Sequence, residues 1–348
     1  MIIKLLFRGL KFGAIFNIVT LILIAIYVFC VENKLQPFNF KSTIEFGTIV
    51  SGGRIYNTAD SDNYQIRPAW AKIESQFDLF LPEFQLRPDW TQPSPRLEKW
   101  CKTNNCCAHR IGFNDKRITN FKCFTLDDWY LTNRDFLGSD LDITAVAILN
   151  GFLKKLPVGS RVIISEPYML FADRRSFDSF TAWVLDLKSK YPALRFEIGL
   201  QIHLQIVDSY WLQYQWLVPA LAKFSRQHSI PWGISEYSIY DRLWKARIAY
   251  GGATPGPTLL TRLEAFFPDR LLRALALHQT YIFHRDIVGH GAGFVVEWGN
   301  FPTTWFASAI APDYRSTFAL ADWDGNLQLT YWAIARGHQD GQKLKNQN

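Results

Sequence analysis

The stretch from residue 195 to 241 constrains the fold more than any other. RFEIGLQIH alternates strictly, with Phe196, Ile198, Leu200 and Ile202 on one face and Glu197, Gly199, Gln201 and His203 on the other, which is the two-residue period of a strand. From residue 207 to 227 the apolar residues recur at helical spacing, through Trp211, Tyr214, Leu217, Val218, Leu221 and Phe224. PWGISEY then reads as a second strand that delivers Glu236 to its C-terminal end. Strand, helix, strand in this order implies parallel strands, and in such sheets chemistry gathers at the carboxyl ends. Gln201, His203 and Glu236 are therefore expected at one mouth.

The rest of the chain repeats the theme. Further strands are expected over residues 46–53, 77–84, 108–114, 159–168 and 293–301. Helices are expected over 141–156, capped by Asp140 or Asp142, and over 176–190, 259–267 and 269–286, with a closing helix after the Asp324-Gly325 turn. Strands alternating with helices indicate a parallel α/β fold, most simply a (β/α)8 TIM barrel, and 348 residues is within the range of one such domain. Aromatic residues make up 16% of the chain, including 13 Trp, which fits either a Trp-rich core or surfaces that stack flat ligands. The net charge of +7 is scattered without a basic block, which argues against a nucleic-acid partner.

The amino terminus bears on compartment. Residues 12–31 form an uncharged run of 20, long enough to span a bilayer as a helix, and Lys4, Arg8 and Lys11 precede it. The expected organisation is a basic cytoplasmic segment (1–11), a transmembrane signal anchor (12–31), a linker (32–43), an extracytoplasmic barrel (44–338) and a disordered tail (339–348). Cleavage of the apolar run would instead release a secreted domain, but no small-x-small cleavage pattern follows it. Cys101, Cys106, Cys107 and Cys123 cluster in a segment expected to face an oxidising space, where one or two disulfides would form. Adjacent Cys106 and Cys107 bond outward more easily than to each other. A zinc site, with His109 nearby, is the rival, although the spacing fits no standard pattern. No metal or organic cofactor is implied.

Two strands end alike, VIISEP and WGISEY. A carboxylate after four apolar positions is costly to place unless it is solvated, paired or used. If Glu166 and Glu236 reach one mouth, they are suited to splitting an acetal: one, protonated, serves the leaving oxygen and the other, ionised, attacks the anomeric carbon. Glu197 and Glu297 are reserve carboxylates. Alternation puts Glu297 on the face of Val295, a face that could be the barrel interior.

These residues resemble a known family. IGLQIHL, a helix and then ISEY are similar to glycoside hydrolase family 10, in which a G-L-Q-x-H-L strand precedes a T-E-L-D strand bearing the nucleophile. LPEFQLRP, AHRIGF and VVEWGNFPTTW followed by ALADWDGNLQLTYWAI resemble other motifs of that family in the same order, so the resemblance covers residues 44 to 338. It implies a retaining glycosidase acting on a β-linked polysaccharide, here held by the anchor expected at 12–31, with Glu236 as nucleophile, Glu166 as acid/base and His203 bracing Glu236. It also implies that Gln201, Ser165, His109, Glu83, Arg87, Tyr237, Trp298 and Trp305 contact sugar. Departures stand beside it: Ser165 replaces the Asn before the acid/base, and Ser238, Phe84 and Pro88 replace Asp, Asn and Trp. Only 35 positions separate Glu166 from Gln201 (201 − 166). Either the barrel is compressed around its fifth strand, or Glu166 is not the fourth-strand residue. The alternative function is an inactive carbohydrate-binding or envelope scaffold on the same barrel.

Overall fold

The computed structural model describes residues 44–50, 68–82, 99–108, 121–127, 129–133, 141–167, 173–205, 210–240, 269–297, 320 and 327–347. The expected membrane segment and linker lie outside these. Among the described residues no helix is long and apolar enough to cross a membrane.

Seven strands form one sheet: β1 (Glu45–Val50), β2 (Leu79–Pro82), β3 (Cys123–Asp127), β4 (Arg161–Pro167), β5 (Arg195–Gln205), β6 (Trp232–Tyr240) and β7 (Phe294–Glu297). Their spatial order is β2-β1-β7-β6-β5-β4-β3, and every pairing is parallel. The two edges of this sheet are β2 and β3, and residues 106–108 bond to both. Phe80 N donates to Asn105 O at 2.9 Å and Cys107 N to Phe80 O at 2.8 Å; Ala108 N donates to Cys123 O at 2.8 Å and Thr125 N to Ala108 O at 2.9 Å. The hydrogen-bonded circuit thus returns on itself through eight parallel segments, with residues 106–108 third in the ring.

This count settles the question raised by the short spacing before Gln201. Of the strand expected at 108–114 only Ala108 is described, and it belongs to the third segment of the ring. Residues 109–114 lie outside the described residues, and β3 is not among the strands expected from the sequence. β3 is fourth in the ring, β4 fifth, β5 sixth and β6 seventh. The barrel is not compressed, and Glu166 lies on the fifth strand, not the fourth.

Alternation sorts the side chains into two layers. Ile49, Leu79, Leu81, Ile163, Phe294 and Val296 pack together inside the ring. Phe46, Phe124, Val162, Ile198, Leu200 and Val295 face outward into a larger core shared with the helices. Those helices are α1 (Pro68–Ile73), α2 (Trp129–Asn133), α3 (Ile143–Leu153), α4 (Arg174–Lys190), α5 (Tyr210–His228), α6 (Asp269–Gly289) and α7 (Leu329–Gln347). Two begin on an aspartate whose side chain accepts from a backbone amide of the first turn: Asp142 from Ala145 N and Asp173 from Ser176 N, both at 2.7 Å. α4 buries Phe177, Phe180, Val184 and Leu187, the stripe its period requires. Several tryptophans serve this layer. Trp70 and Trp232 are fully buried, and Trp129 stacks on Trp183 at 5.3 Å.

The tail expected to be disordered is helical. α7 runs to Gln347, with His338 and Gly341 buried. A Cβ on Gly337 would stand 2.7 Å from Tyr281 O, and one on Gly341 would strike Arg285 O. Two glycines one helical turn apart let α6 and α7 meet backbone to backbone, so polar composition alone misjudged the segment.

The cysteines are joined as Cys101–Cys106 and Cys107–Cys123, with Cα separations of 5.3 and 4.4 Å. Their thiolates are thereby withdrawn from any zinc site. Cys107 and Cys123 belong to the inner layer, so that bridge ties the third ring segment to the fourth.

Two stability outcomes follow. Gly341→Ala should lower stability by about 1–3 kcal/mol through overpacking, although alanine is intrinsically the better helix former by up to about 1 kcal/mol; urea unfolding measures the balance, and an unchanged midpoint would mean that the helices yield freely. Replacing Cys107 and Cys123 together by serine should cost about 3 kcal/mol, the chain-entropy value for a loop near 15 residues. The shorter Cys101–Cys106 loop should contribute less, and thermal melts of the two double variants give that ranking.

Candidate active site

The mouth is assembled from the inward positions at the carboxyl ends of β3, β4, β5 and β6. On β3, Thr125 and Asp127 share the inner face with Cys123, and Thr125 Oγ1 donates to Asp127 Oδ2 at 2.8 Å. Asp127 lies level with Ser165 of β4 in the strand register, and Ser165 with Gly199 of β5. Ser165 Oγ is 2.8 Å from Ser235 Oγ, and Gln201 Nε2 donates to Ser165 Oγ at 3.2 Å. Gly199 is required beneath them, since a Cβ there would stand 2.7 Å from that of Ser235.

A bulge in β6 controls the geometry of the mouth. Leu200 pairs with Ile234 but Gln201 with Glu236, so Ser235 is an extra residue. On the other side Ile234 pairs with Val295 and Tyr237 with Glu297, leaving Val296 opposite both Ser235 and Glu236. Val296 belongs to the inner layer. A bulge of this kind turns two successive side chains to one face. Ser235 and Glu236 therefore both face inward, and Glu236 sits beside Gln201, 2% exposed. The sequence pattern alone carries no sign of this bulge.

The expected acid/base, Glu166, is not at this mouth. Ser165 points inward, so alternation turns Glu166 outward. It is fully buried there, and its Oε1 accepts from Tyr130 N at 2.6 Å, in the first turn of α2. Its carboxylate meets the amide end of a short helix, an ordinary use for a buried acid. Tyr237, expected to touch sugar, also faces outward. Its ring stacks on Phe283 at 4.6 Å and its hydroxyl donates to Thr280 at 3.2 Å; burial pushes its pKa upward.

The reserve carboxylates are both occupied. Glu197 lies inside, at the amino-terminal end of the ring, where Arg161 binds it at 2.7 Å and Glu45 at 2.6 Å. Glu297 shares the face of Val295, as alternation requires, but that face looks at the helices and not into the barrel. Its Oε1 lies 3.2 Å from His284 Nε2, and His284 Nδ1 is 3.1 Å from His338 Nε2. Burial holds Glu297 well above the usual carboxylate range, pushes His284 down to about 3 and holds His338 well below its ordinary value. Burial thus favours the uncharged form of all three, a row of polar groups in a dry layer.

His203 pairs with Ser238 in the backbone register. His109, Glu83, Arg87, Trp298 and Trp305 lie outside the described residues. The sequence reading missed Asp127 and Ser235. KCFTLD did carry a signal, because Cys123, Thr125 and Asp127 alternate with Phe124 and Leu126.

Comparison with known proteins places the fold. No protein-family model matches the chain, and no curated protein sequence matches it. Solved structures do. The endo-1,4-beta-xylanase from Caldicellulosiruptor owensensis superposes with a TM-score of 0.56 at 12% identity, over 85% of this chain and 98% of that one. Xylanase B from Clostridium stercorarium F9 gives a TM-score of 0.56 at 12% identity over 85% and 98% of the two chains. A mutant structure in complex with xylotriose gives 0.58 at 12% identity, covering 85% and 98%. The chain therefore has a fold like that of the glycoside hydrolase family 10 xylanases, as the motif order implied. At this identity the likeness is one of fold.

The neutral Glu297–His284–His338 row has a pH signature. Unfolding lets both imidazoles protonate below their ordinary value of 6.5, so their contribution to stability falls as pH drops below that point. Glu297 keeps its proton in the fold and loses it on unfolding above 4.5, so its contribution falls as pH rises toward its elevated native value. The two limbs oppose each other, the acid one set by the imidazoles and the alkaline one by Glu297. Melting temperatures of Glu297→Gln should keep the acid limb and flatten the alkaline one; parallel profiles for variant and parent would refute the assignment.

Proposed function

We propose that this chain is a glycoside hydrolase acting on a β-linked polysaccharide, xylanase-like, held to the extracytoplasmic face of a membrane by residues 12–31. The observation that carries the reading is the bulge that turns Glu236 into the ring at the carboxyl end of its seventh strand, beside Gln201. The two disulfides favour an oxidising compartment. Glu236 is assigned the nucleophile's role, attacking the anomeric carbon. The proton donor expected on the fourth strand is reassigned from Glu166 to Asp127, the inward carboxylate of β3. Asp127 would give its proton to the leaving oxygen and then take one from the water that releases the sugar from Glu236. Gln201, and His203 one inward position further along β5, would orient Glu236 and the bound sugar.

A second reading has its own support. Ser165 is fully buried and Glu236 nearly so; Ser238 stands where the family has Asp, and Leu126 rather than Asn precedes Asp127. A barrel that binds glycan without cleaving it fits those features.

Activity on xylan and on aryl xylosides separates the readings. Hydrolysis should fall at least about a thousandfold in Glu236→Gln. Asp127→Asn should slow xylan far more than an aryl glycoside with an activated leaving group, because only the former needs the proton. Glu166→Gln should lower the melting temperature and leave kcat largely intact. Glycan binding by the parent protein without any product would favour the second reading.

A further inference from the structure

In a parallel ring all strands start at one end, and each helix ends there. Exposed basic residues collect at this end. Lys122 precedes β3, Lys154 and Lys155 follow α3, Arg195 opens β5, Arg226 closes α5 and Lys345 closes α7, and every one of them is exposed. Val158 stands among them, 86% exposed. The carboxylates at the same end are largely spent: Glu45 and Glu197 are bound by Arg161, Asp186 by Lys190 at 2.6 Å, and Asp340 by Lys343 at 2.8 Å, while Glu74 accepts from Trp100 at 3.2 Å. The other end is mixed: exposed Asp142 and Asp173 start α3 and α4, with exposed Arg174 and Arg175 beside Asp173.

Helix dipoles favour some of this sorting, since bases suit helix C-termini. They do not account for Lys122, which stands in front of β3, or for Arg195, which opens β5 and reaches Glu197 only at 3.8 Å. The chain itself supplies the missing reason. β1 starts at this same end, so residues 1–43, with their uncharged run at 12–31, join the barrel there. A linker of 12 residues (32–43) reaches at most roughly 40 Å when extended. Tethering alone would therefore leave the barrel free to turn, and an added attraction is needed to fix its face.

We infer that the amino-terminal face of the barrel is a docking surface for anionic phospholipid headgroups, which seats the ring on the bilayer with its mouth directed away from it. The inference rests on the membrane anchoring proposed above. Lys and Arg near a bilayer are drawn to anionic headgroups, and the attraction decays within a Debye length, about 8 Å at physiological salt. Exposed Val158 among lysines suits the headgroup boundary.

The test uses the full chain reconstituted in nanodiscs of phosphatidylcholine alone or with phosphatidylglycerol. Co-elution with the discs reports anchoring, and hydrogen exchange of the segments around residues 154–160 and 190–196 reports docking. Exchange in these segments should slow at least twofold in the anionic discs, and the effect should vanish at about 0.5 M salt. A Lys154→Glu, Lys155→Glu, Arg195→Glu variant, checked for an unchanged melting temperature, should lose the difference between disc types while still co-eluting. Co-elution with equal exchange in both discs overturns the docking proposal alone, and so does protection that survives high salt. Failure to co-elute overturns the anchor and the docking together.

Discussion

A parallel sheet leaves backbone donors and acceptors open along both edges, and the rest of this molecule depends on how they are closed. Residues 106–108 bond to β2 on one side and to β3 on the other. That short contact turns an open seven-stranded sheet into a ring with an inside. Once the ring is closed, alternation gives each strand residue one of two environments. Inward residues meet a narrow core that opens at the carboxyl ends, and outward residues meet helices. The Cys107–Cys123 bridge lies at the same junction and holds two of the joined segments covalently.

That inside–outside division explains why two outwardly similar glutamates have different fates. Glu166 and Glu236 both follow isoleucine and serine near the end of a strand. On β4 the alternation runs without interruption, so Ser165 takes the inner position and Glu166 reaches the start of α2. On β6 one extra residue breaks the alternation, and serine and glutamate both turn inward. Tyr237 then resumes the outward positions and anchors the strand against α6 through Thr280 and Phe283. The bulge is what separates an acid that caps a helix from one placed in the mouth.

Behind the eighth segment of the ring, α6 and α7 approach closely because glycine replaces side chains at Gly337 and Gly341. Such a tight layer excludes water, and that burial favours the neutral forms of Glu297, His284 and His338. Three titratable residues near one strand end could be mistaken for a catalytic cluster. Their burial on the helix side of β7 gives them a structural role in supporting the strand that ends beside the mouth.

Much of this was legible in the residues. Strict alternation in RFEIGLQIH, helical spacing after it and a second strand in PWGISEY were enough to determine parallel strands and the neighbouring positions of Gln201 and Glu236, because those periods follow from backbone geometry. The aspartate cap of α3 and the apolar stripe of α4 were readable for the same local reason. Tertiary structure alone decided the count around the ring, the direction of Glu166 and Tyr237, the continuation of the closing helix to Gln347 and the side on which Glu297 is buried. Each of these depends on which neighbour a residue meets, and a period along the chain describes spacing but not the partner across the fold.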